Sequence, residues 1–195
     1  AAEEGERMKK GAVALLAVLL TACSAGGDNK SYYQLPSPNM SATTPGEARG
    51  QRLLWVEQVN VPDYLAGNGV VYQTSDVKYV IATNKLWASP LDQQLRTTLV
   101  ANLSNQLPGW VVASQPLGSV QDTLNVTVTG FHGRYDGRVI VSGEWLLNHQ
   151  GQLIKRPFHI ELKQQQDGYD EMVKVLAQAW QQEAISIASE LKRLP

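Results

Sequence analysis

Residues 124–129 read Leu-Asn-Val-Thr-Val-Thr, and this stretch decides the fold because apolar and polar side chains alternate along it. The same two-residue period returns at 139–147 and at 158–162. Loops rich in turn-forming residues separate the three segments. The pattern predicts an antiparallel meander of three strands with one apolar face and one polar face.

Shorter strands are predicted upstream of the meander. They are residues 32–35, 53–61, 70–74, 78–82 and 110–113. In 53–61 the apolar face consists of Leu53, Trp55, Val59 and Val61, with Glu57 as the exception. Residues 70–74 and 78–82 flank Ser75 and Asp76 and predict a hairpin. Between these strands, residues 62–67 begin with Pro and end with Gly, which predicts a single helical turn.

Two amphipathic helices are predicted. The first begins with Ser89 as N-cap, Pro90 at the first helical position and Asp92 in a capping box, and it ends before Pro108. Its apolar stripe is Leu91, Leu95, Leu99 and Leu103. The second covers about 168–192, and its stripe is Tyr169, Met172, Val173, Leu176, Trp180, Ala184, Ile187 and Leu191. The predicted fold class is α+β, a two-layer sandwich in which two amphipathic helices pack on a mostly antiparallel sheet.

The amino-terminal segment predicts a lipid anchor. Met8-Lys9-Lys10 is a basic start, an apolar run follows at 11–20, and Leu20-Thr21-Ala22-Cys23 resembles a lipobox that ends in the only cysteine of the chain. Ten apolar residues are too few to cross a bilayer as a helix, which needs roughly 20. We therefore predict a cleaved signal peptide at 1–22, with Met8 as the candidate translation start, and lipid attachment at Cys23. The alternative is an ordinary free or buried thiol at Cys23.

Length and net charge limit the domain organisation and the partners that we expect for the rest of the chain. We predict a lipidated tether, short strand and loop at 23–51, and one globular α+β domain at 52–195. The chain has 17 Lys+Arg against 18 Asp+Glu, a formal net charge of −1. This balance argues against nucleic acid as a partner, because phosphate binding requires a basic surface.

No motif for catalysis, cofactor binding or metal binding stands out. His132, His149 and His159 lack metal-ligand spacing, and they are predicted to be surface or turn residues. The glycine loops lack the spacing of nucleotide-binding motifs. We therefore predict no cofactor, no metal, no catalytic residue and no enzymatic activity.

Aromatic residues are the remaining candidates for contacts. Trp145 and Trp180 lie on apolar stripes and are predicted to belong to the core. Tyr64, Tyr72 and Trp87 lie near predicted loops and turns, so they are the candidate residues of a partner interface.

Several stretches together resemble the PqiC (YmbA) lipoproteins, auxiliary lipoprotein components of Pqi-type transport systems. They are 32–36 (Tyr-Tyr-Gln-Leu-Pro), 54–65, 69–74 (Gly-Val-Val-Tyr-Gln-Thr), 86–91 (Leu-Trp-Ala-Ser-Pro-Leu), 107–110 and 143–145. The resemblance covers essentially the whole chain after Cys23, and it is weakest at 36–51. The matched stretches are fold and turn signatures, so they transfer no catalytic residue.

The resemblance implies a non-catalytic docking lipoprotein that is anchored in the outer membrane and faces the periplasm. Ser24 after the lipid-bearing cysteine is similar to the pattern of outer-membrane lipoproteins. The implied partner is a periplasm-spanning MCE protein similar to PqiB, and the implied assembly is a homo-oligomeric ring that supports lipid transport and envelope integrity. Two alternatives remain open from the sequence: a lipoprotein that carries lipid in its own pocket, and a periplasmic hydrolase that uses His132 or His149.

Overall fold

The computed structural model describes residues 29–39 and 51–195. Residues 31–195 form one compact unit. The strands are β1 (Ser31–Tyr33), β2 (Arg52–Asn60), β3 (Gly69–Gln73), β4 (Tyr79–Trp87), β5 (Trp110–Ala113), β6 (Asp122–Arg134), β7 (Arg138–His149) and β8 (Gln152–Lys163). The helices are α1 (Asp63–Ala66), α2 (Leu91–Gln106) and α3 (Tyr169–Lys192).

The fold is α+β, with one eight-stranded sheet. The long strand β6 pairs with three other strands of this sheet. One edge of β6 pairs with β7, and β7 pairs with β8, so the predicted antiparallel meander is confirmed. The other edge of β6 pairs in parallel with β2 at 122–127 and with β3 at 133–134. The sheet therefore forks: β5 extends the β2 limb, while β4 and then β1 extend the β3 limb. The longest ladders are antiparallel, and the pairings that join the limbs to β6 are parallel.

Both long helices cover one face of this sheet. Leu124, Val126 and Val128 of β6 are at most 1% exposed, and the apolar stripe of α3 packs over the same core. Trp180 joins the two helices, because its indole Nε1 donates to the backbone oxygen of Leu95 at 3.1 Å. The two-layer arrangement predicted from the alternation is therefore confirmed.

The predicted face of β2 is partly wrong. Leu54 and Val56 are buried under the helices, whereas Leu53 and Trp55 lie on the opposite, open face. The cause is a β-bulge, since the register with β6 shifts between Val56 and Gln58. One extra residue inverts the side-chain alternation beyond it. Glu57 lies at this bulge, which accounts for the exception in the pattern.

The predicted capping box of α2 is also absent. The helix begins at Leu91 after Pro90, and Ser89 makes no side-chain capping bond; the Asp92 carboxylate accepts only from the neighbouring backbone N–H of Gln93 at 2.9 Å. The buried side chain of Gln94 instead joins this end of the helix to β1, where its Oε1 accepts from the backbone N–H of Leu35 at 2.8 Å. The predicted strand at 32–35 is observed at 31–33, where it pairs in parallel with β4.

Candidate functional site

Cys23, the predicted lipid-attachment residue, lies outside the described residues. The predicted interface residues are Tyr64, Tyr72 and Trp87, and all three lie on the β3 limb or beside it. Trp87 ends β4 away from the β3–β4 turn. Tyr64 and Tyr72 lie toward one end of the sheet, where the β3–β4 turn, the β6–β7 turn and the start of α3 meet. We call this the hairpin end.

Tyr64 fills the space where the sheet forks. β2 leaves β6 after Thr127, and the half-buried Tyr64 donates from its hydroxyl to the backbone oxygen of Thr129 at 2.5 Å. Its ring lies 5.2 Å from that of Tyr79. The pKa of Tyr64 is raised to about 12, mainly by burial and to a smaller extent by the neighbouring Tyr79. The phenol therefore remains a neutral hydrogen-bond donor at any physiological pH.

Tyr72 lines an open cleft of about 330 Å³ between the β6–β7 turn and the start of α3. Tyr169 and Met172 of α3 form one wall, and Arg134 contributes a charged group. Gly133 packs against two residues of the lining: a Cβ there would approach Met172 Sδ to 2.1 Å and Tyr72 Cδ2 to 3.0 Å, so a larger residue would force these side chains to shift. The cleft thus combines aromatic walls with a cation at its rim.

Arg134 is already paired at this rim. Its guanidinium lies 3.6 Å from Asp136 and 3.8 Å from Glu161, and it stacks over the Tyr135 ring at 5.2 Å. The local charges are therefore balanced, and the cleft does not present an unpaired cation.

Trp87 is a core residue. Its side chain is 5% exposed, and its ring lies 6.1 Å from that of Phe131. β4 continues to Trp87, five residues beyond its predicted end, and carries the indole under the helical layer. Trp87 therefore supports the surface from below, and its burial argues against direct contact with a partner.

Most of the exposed apolar residues of the hairpin end are at or beside the β3–β4 turn, and Tyr135 of the β6–β7 turn is 45% exposed. Val77 is 83% exposed, and Tyr79, Val80 and Ile81 are 43%, 50% and 49% exposed. We call these four residues the apolar turn. Three consecutive apolar residues violate the alternation of a half-buried strand, and that signal in the sequence could have identified them. Only Tyr64, Tyr72 and Trp87 were singled out by sequence reasoning.

The opposite end of the sheet contains a buried polar cluster. We call it the C-terminal end, because Leu194 and Pro195 lie against it. Nδ1 of His149 lies 2.9 Å from both carboxylate oxygens of Asp122, and Nε2 lies 3.0 Å from the backbone oxygen of Pro195. Both partners are acceptors, so both nitrogens donate only when the ring is protonated. Nearby, Arg52 Nη1 donates to the Leu194 backbone oxygen at 3.1 Å.

The prediction of surface or turn histidines is wrong for two of the three. His149 is 5% exposed and His132 is 3% exposed, while His159 is exposed and lies 3.0 Å from Glu161. Burial lowers the pKa of His132, whose Nδ1 donates to the backbone oxygen of Gly133 at 2.8 Å. Because β6 and β7 extend further than predicted, both histidines belong to strands.

A buried carboxyl under the centre of α3 was not anticipated. Glu183 is 4% exposed and accepts from the indole Nε1 of Trp145 at 3.1 Å. Burial raises its pKa to about 7, and the Trp145 hydrogen bond only partly offsets that shift. The helical period places Glu183 on the buried stripe, between Trp180 and Ile187. Its burial could therefore have been predicted from its position in the helix.

Within the described residues, no three potential metal-ligating side chains come together. The same residues include no helix with the length and apolarity that a membrane crossing requires. The His149–Asp122 pair borders a cleft of about 410 Å³ that Ser119 also lines. Both ring nitrogens of His149 already face oxygen atoms, so neither is directed at a nucleophile.

The model of a protein family, ABC-type transport auxiliary lipoprotein component, matches residues 33–188. The chain belongs to this family. It is 76% identical over 188 residues to the intermembrane transport lipoprotein PqiC of Escherichia coli K12 and equally to that of Shigella flexneri. The match covers 96% of this chain and 100% of each relative. The resemblance to PqiC lipoproteins seen in the sequence is thereby confirmed.

Solved structures agree on the fold. A crystal structure of an uncharacterized protein is 79% identical, covers 84% of this chain and 99% of its own, and has a TM-score of 0.77. A crystal structure of a Xanthomonas campestris protein is 15% identical, covers 83% of this chain and 94% of its own, and has a TM-score of 0.67. The second likeness concerns the fold alone.

Proposed function

We propose that this protein is an outer-membrane lipoprotein that faces the periplasm and serves as a docking subunit of an intermembrane lipid transport system. The observation that carries the proposal is the 76% identity to PqiC along 96% of the chain. Family membership as a transport auxiliary lipoprotein points the same way. The names of the family and of its PqiC relatives support a non-enzymatic role.

The anchor is the acylated Cys23, and Ser24 favours delivery to the outer membrane. The globular domain has no basic excess that would bind a membrane by charge, since the chain has a formal net charge of −1. Location therefore depends on the lipid.

The partner is a periplasm-spanning MCE protein of the PqiB type, and several copies of the chain form a ring around its end. The Tyr72 cleft and the neighbouring Tyr64 are the proposed contact surface. Aromatic side chains over a concave floor are typical anchors of protein interfaces. Trp87 contributes indirectly by holding β4 under the helices.

The two alternatives from the sequence have less support. A lipid carrier requires a cavity between helices and sheet, yet this space contains Trp180, Phe131 and Leu176, each at most 1% exposed. A hydrolase requires a histidine nitrogen directed at a nucleophile. His149 directs both of its nitrogens elsewhere, and Nδ1 of His132 donates to the backbone oxygen of Gly133.

The test is site-specific photocrosslinking in intact cell envelopes. A photoreactive residue in place of Tyr72 should crosslink to the MCE protein. A photoreactive residue in place of Leu153, which is 64% exposed on the open face of the sheet, is the matched control and should not. Equal crosslinking at both positions, or none at Tyr72, would contradict the docking surface. Native mass spectrometry of the detergent-extracted protein tests the ring.

A further inference from the structure

The direction of β1 relates the amino-terminal side of the domain to the hairpin end. β1 runs parallel to β4, with Ser31 beside Lys85 and Tyr33 beside Trp87. Parallel strands share a direction, so the amino end of β1 points toward the amino end of β4. That end of β4 is Tyr79, next to the β3–β4 turn.

Chain length allows Cys23 to reach the level of this turn. Eight residue steps separate Cys23 from Ser31, and an extended chain covers at most about 3.3–3.6 Å per residue, which gives roughly 26–29 Å. The six steps from Tyr79 to Lys85 cover at most about 20 Å along a strand. A lipid attached at Cys23 therefore permits the apolar turn to touch the bilayer that contains the lipid.

The apolar turn has the chemistry of a membrane-contact surface. Successive residues of a strand point to opposite faces, so Tyr79, Val80 and Ile81 expose apolar groups on both sides of β4. A single protein surface would cover one side, whereas a fluid interface covers both sides and the Val77 tip. Tyrosines such as Tyr79 favour the boundary between headgroups and acyl chains.

Polar groups at the same turn limit the depth of contact. Asp76 accepts from the Tyr135 hydroxyl at 2.6 Å, and Lys78 is exposed. Among residues 29–39 and 51–195, β1 pairs with 85–87 of β4, and no strand pairs with this edge of β4 at 79–84. Unpaired backbone groups do not enter the hydrocarbon core, but they find partners among headgroups and water. The contact is therefore shallow, and because Asp76 and Lys78 have opposite charges, it does not depend on anionic lipid.

We propose that the apolar turn, Val77 with Tyr79–Ile81, is a second membrane-contact surface of this lipoprotein. It inserts at the headgroup boundary of the bilayer to which Cys23 is anchored, and it therefore rests on the proposed anchoring at Cys23. The contact orients the domain on the membrane. Val80 of the turn pairs with Tyr72, so the proposed docking cleft opens directly beside the bilayer surface.

The first test places a fluorescent label on the lipidated full-length protein. Val77→Cys and Val120→Cys form a matched pair, because these valines are 83% and 84% exposed at opposite ends of the sheet. Each variant carries an environment-sensitive dye and is reconstituted in vesicles of phosphatidylethanolamine and phosphatidylglycerol that contain a spin-labelled lipid quencher. The emission of the dye at 77 should shift to shorter wavelength and be quenched by the spin-labelled lipid. The emission of the dye at 120 should keep the wavelength of a dye in water and should not be quenched. Equal signals would overturn the proposal.

The second test removes the lipid. A chain that begins at residue 23 and carries Cys23→Ala retains the whole compact unit 31–195. It should float weakly with the same vesicles, and the double variant Val77→Asp/Ile81→Asp should reduce the bound fraction about tenfold. Val120→Asp should leave it unchanged, and raising the salt concentration should also have little effect. Flotation unaffected by the double variant would overturn the proposal.

The two tests distinguish this proposal from the anchoring on which it rests. Mass spectrometry of the amino-terminal peptide shows whether Cys23 is acylated, and an unmodified Cys23 means that the anchoring fails. Acylation with equal dye signals means that only the membrane contact fails. If the dye at 77 shifts without vesicles, and only at high protein concentration, the turn contacts another copy of the protein. That result would overturn the membrane assignment.

Discussion

The two ends of the sheet use their side chains in opposite ways. At the C-terminal end, two charged side chains are buried as a pair: Asp122 and His149 are 8% and 5% exposed, and their acceptor and donor atoms face each other. At the hairpin end, apolar groups are exposed without cover, with Val77 at 83%. The Asp122–His149 pair is satisfied within the chain. The hairpin end leaves apolar area in water, which marks a surface that contacts something else.

This comparison yields predictions about where substitutions act. Removing a buried apolar side chain, or one partner of a buried hydrogen-bonded pair, should reduce the free energy of unfolding at either end of the sheet, whereas neutralising the buried carboxyl of Glu183 should raise it at high pH. Changes at the apolar turn should leave that free energy unchanged and alter only what the protein contacts.

The largest expected effect is that of Trp87→Ala, which tests whether Trp87 belongs to the core or to a contact surface. Removing an indole that is 5% exposed leaves a cavity, and such substitutions cost about 3–5 kcal/mol. Denaturant unfolding followed by circular dichroism measures the loss. The surface residue Tyr32, which is 64% exposed, gives the control Tyr32→Ala, with a cost below about 0.5 kcal/mol. Equal losses for both would mean that Trp87 is not part of the core.

Asp122→Ala should follow, because it breaks the buried cluster of the C-terminal end. His149 would remain buried with its Nδ1 unpaired, and removing one partner of a buried pair costs about 2–4 kcal/mol. Thermal unfolding should show the loss, and Asp122→Asn should retain part of the stability by keeping one acceptor. An unfolding free energy unchanged in Asp122→Ala would contradict the view that this end is closed by its own hydrogen bonds.

Glu183→Gln should stabilise the protein in a pH-dependent way. The folded-state pKa of about 7 lies above the ordinary 4.5, so the folded protein retains a proton that the unfolded chain releases. Stability from this group is full below about pH 4.5, falls as the pH rises, and is lost above about pH 7. At pH 8 the variant should gain about 1–3 kcal/mol, with the lower part of this range allowing for solvent screening.

The measurement for Glu183→Gln is the unfolding midpoint at pH 5 and pH 8. Glutamine also accepts from Trp145 Nε1, so the hydrogen bond is kept. The wild-type protein should lose more stability than the variant between these two values. Parallel curves would mean that the carboxyl is not protonated in the folded state.

Local patterns predict the β6–β8 meander and α3 correctly, because each depends on a side-chain period and on residues near in the chain. The parallel pairing of β2 and β3 with β6 was not predicted, since it joins distant segments and no short-range signal specifies it. The bulge after Val56 was missed for a related reason. An extra residue is visible only when the partner strand is known.

The same difference between local patterns and long-range pairing applies to the candidate site. Tyr64 and Tyr72 stay predicted interface residues: they were chosen because aromatic residues near turns are a local feature, and both lie at the fork of the sheet or beside it. Trp87 was misplaced, since the length of β4 depends on its pairing with β1 and β3. The His149 pair with Asp122 joins residues 27 positions apart and depends on β6–β7 register.

The smallest expected effect is the most direct test of the difference between the two ends. Val77→Asp and Val120→Asp replace valines of nearly equal exposure, 83% and 84%, so each should change the unfolding free energy by less than about 0.5 kcal/mol. The two variants should then diverge in the envelope, where Val77→Asp weakens membrane contact and Val120→Asp does not. A large loss of stability in Val77→Asp would mean that the apolar turn packs within its own chain. The exposure of the hairpin end would then no longer require an external surface to cover it.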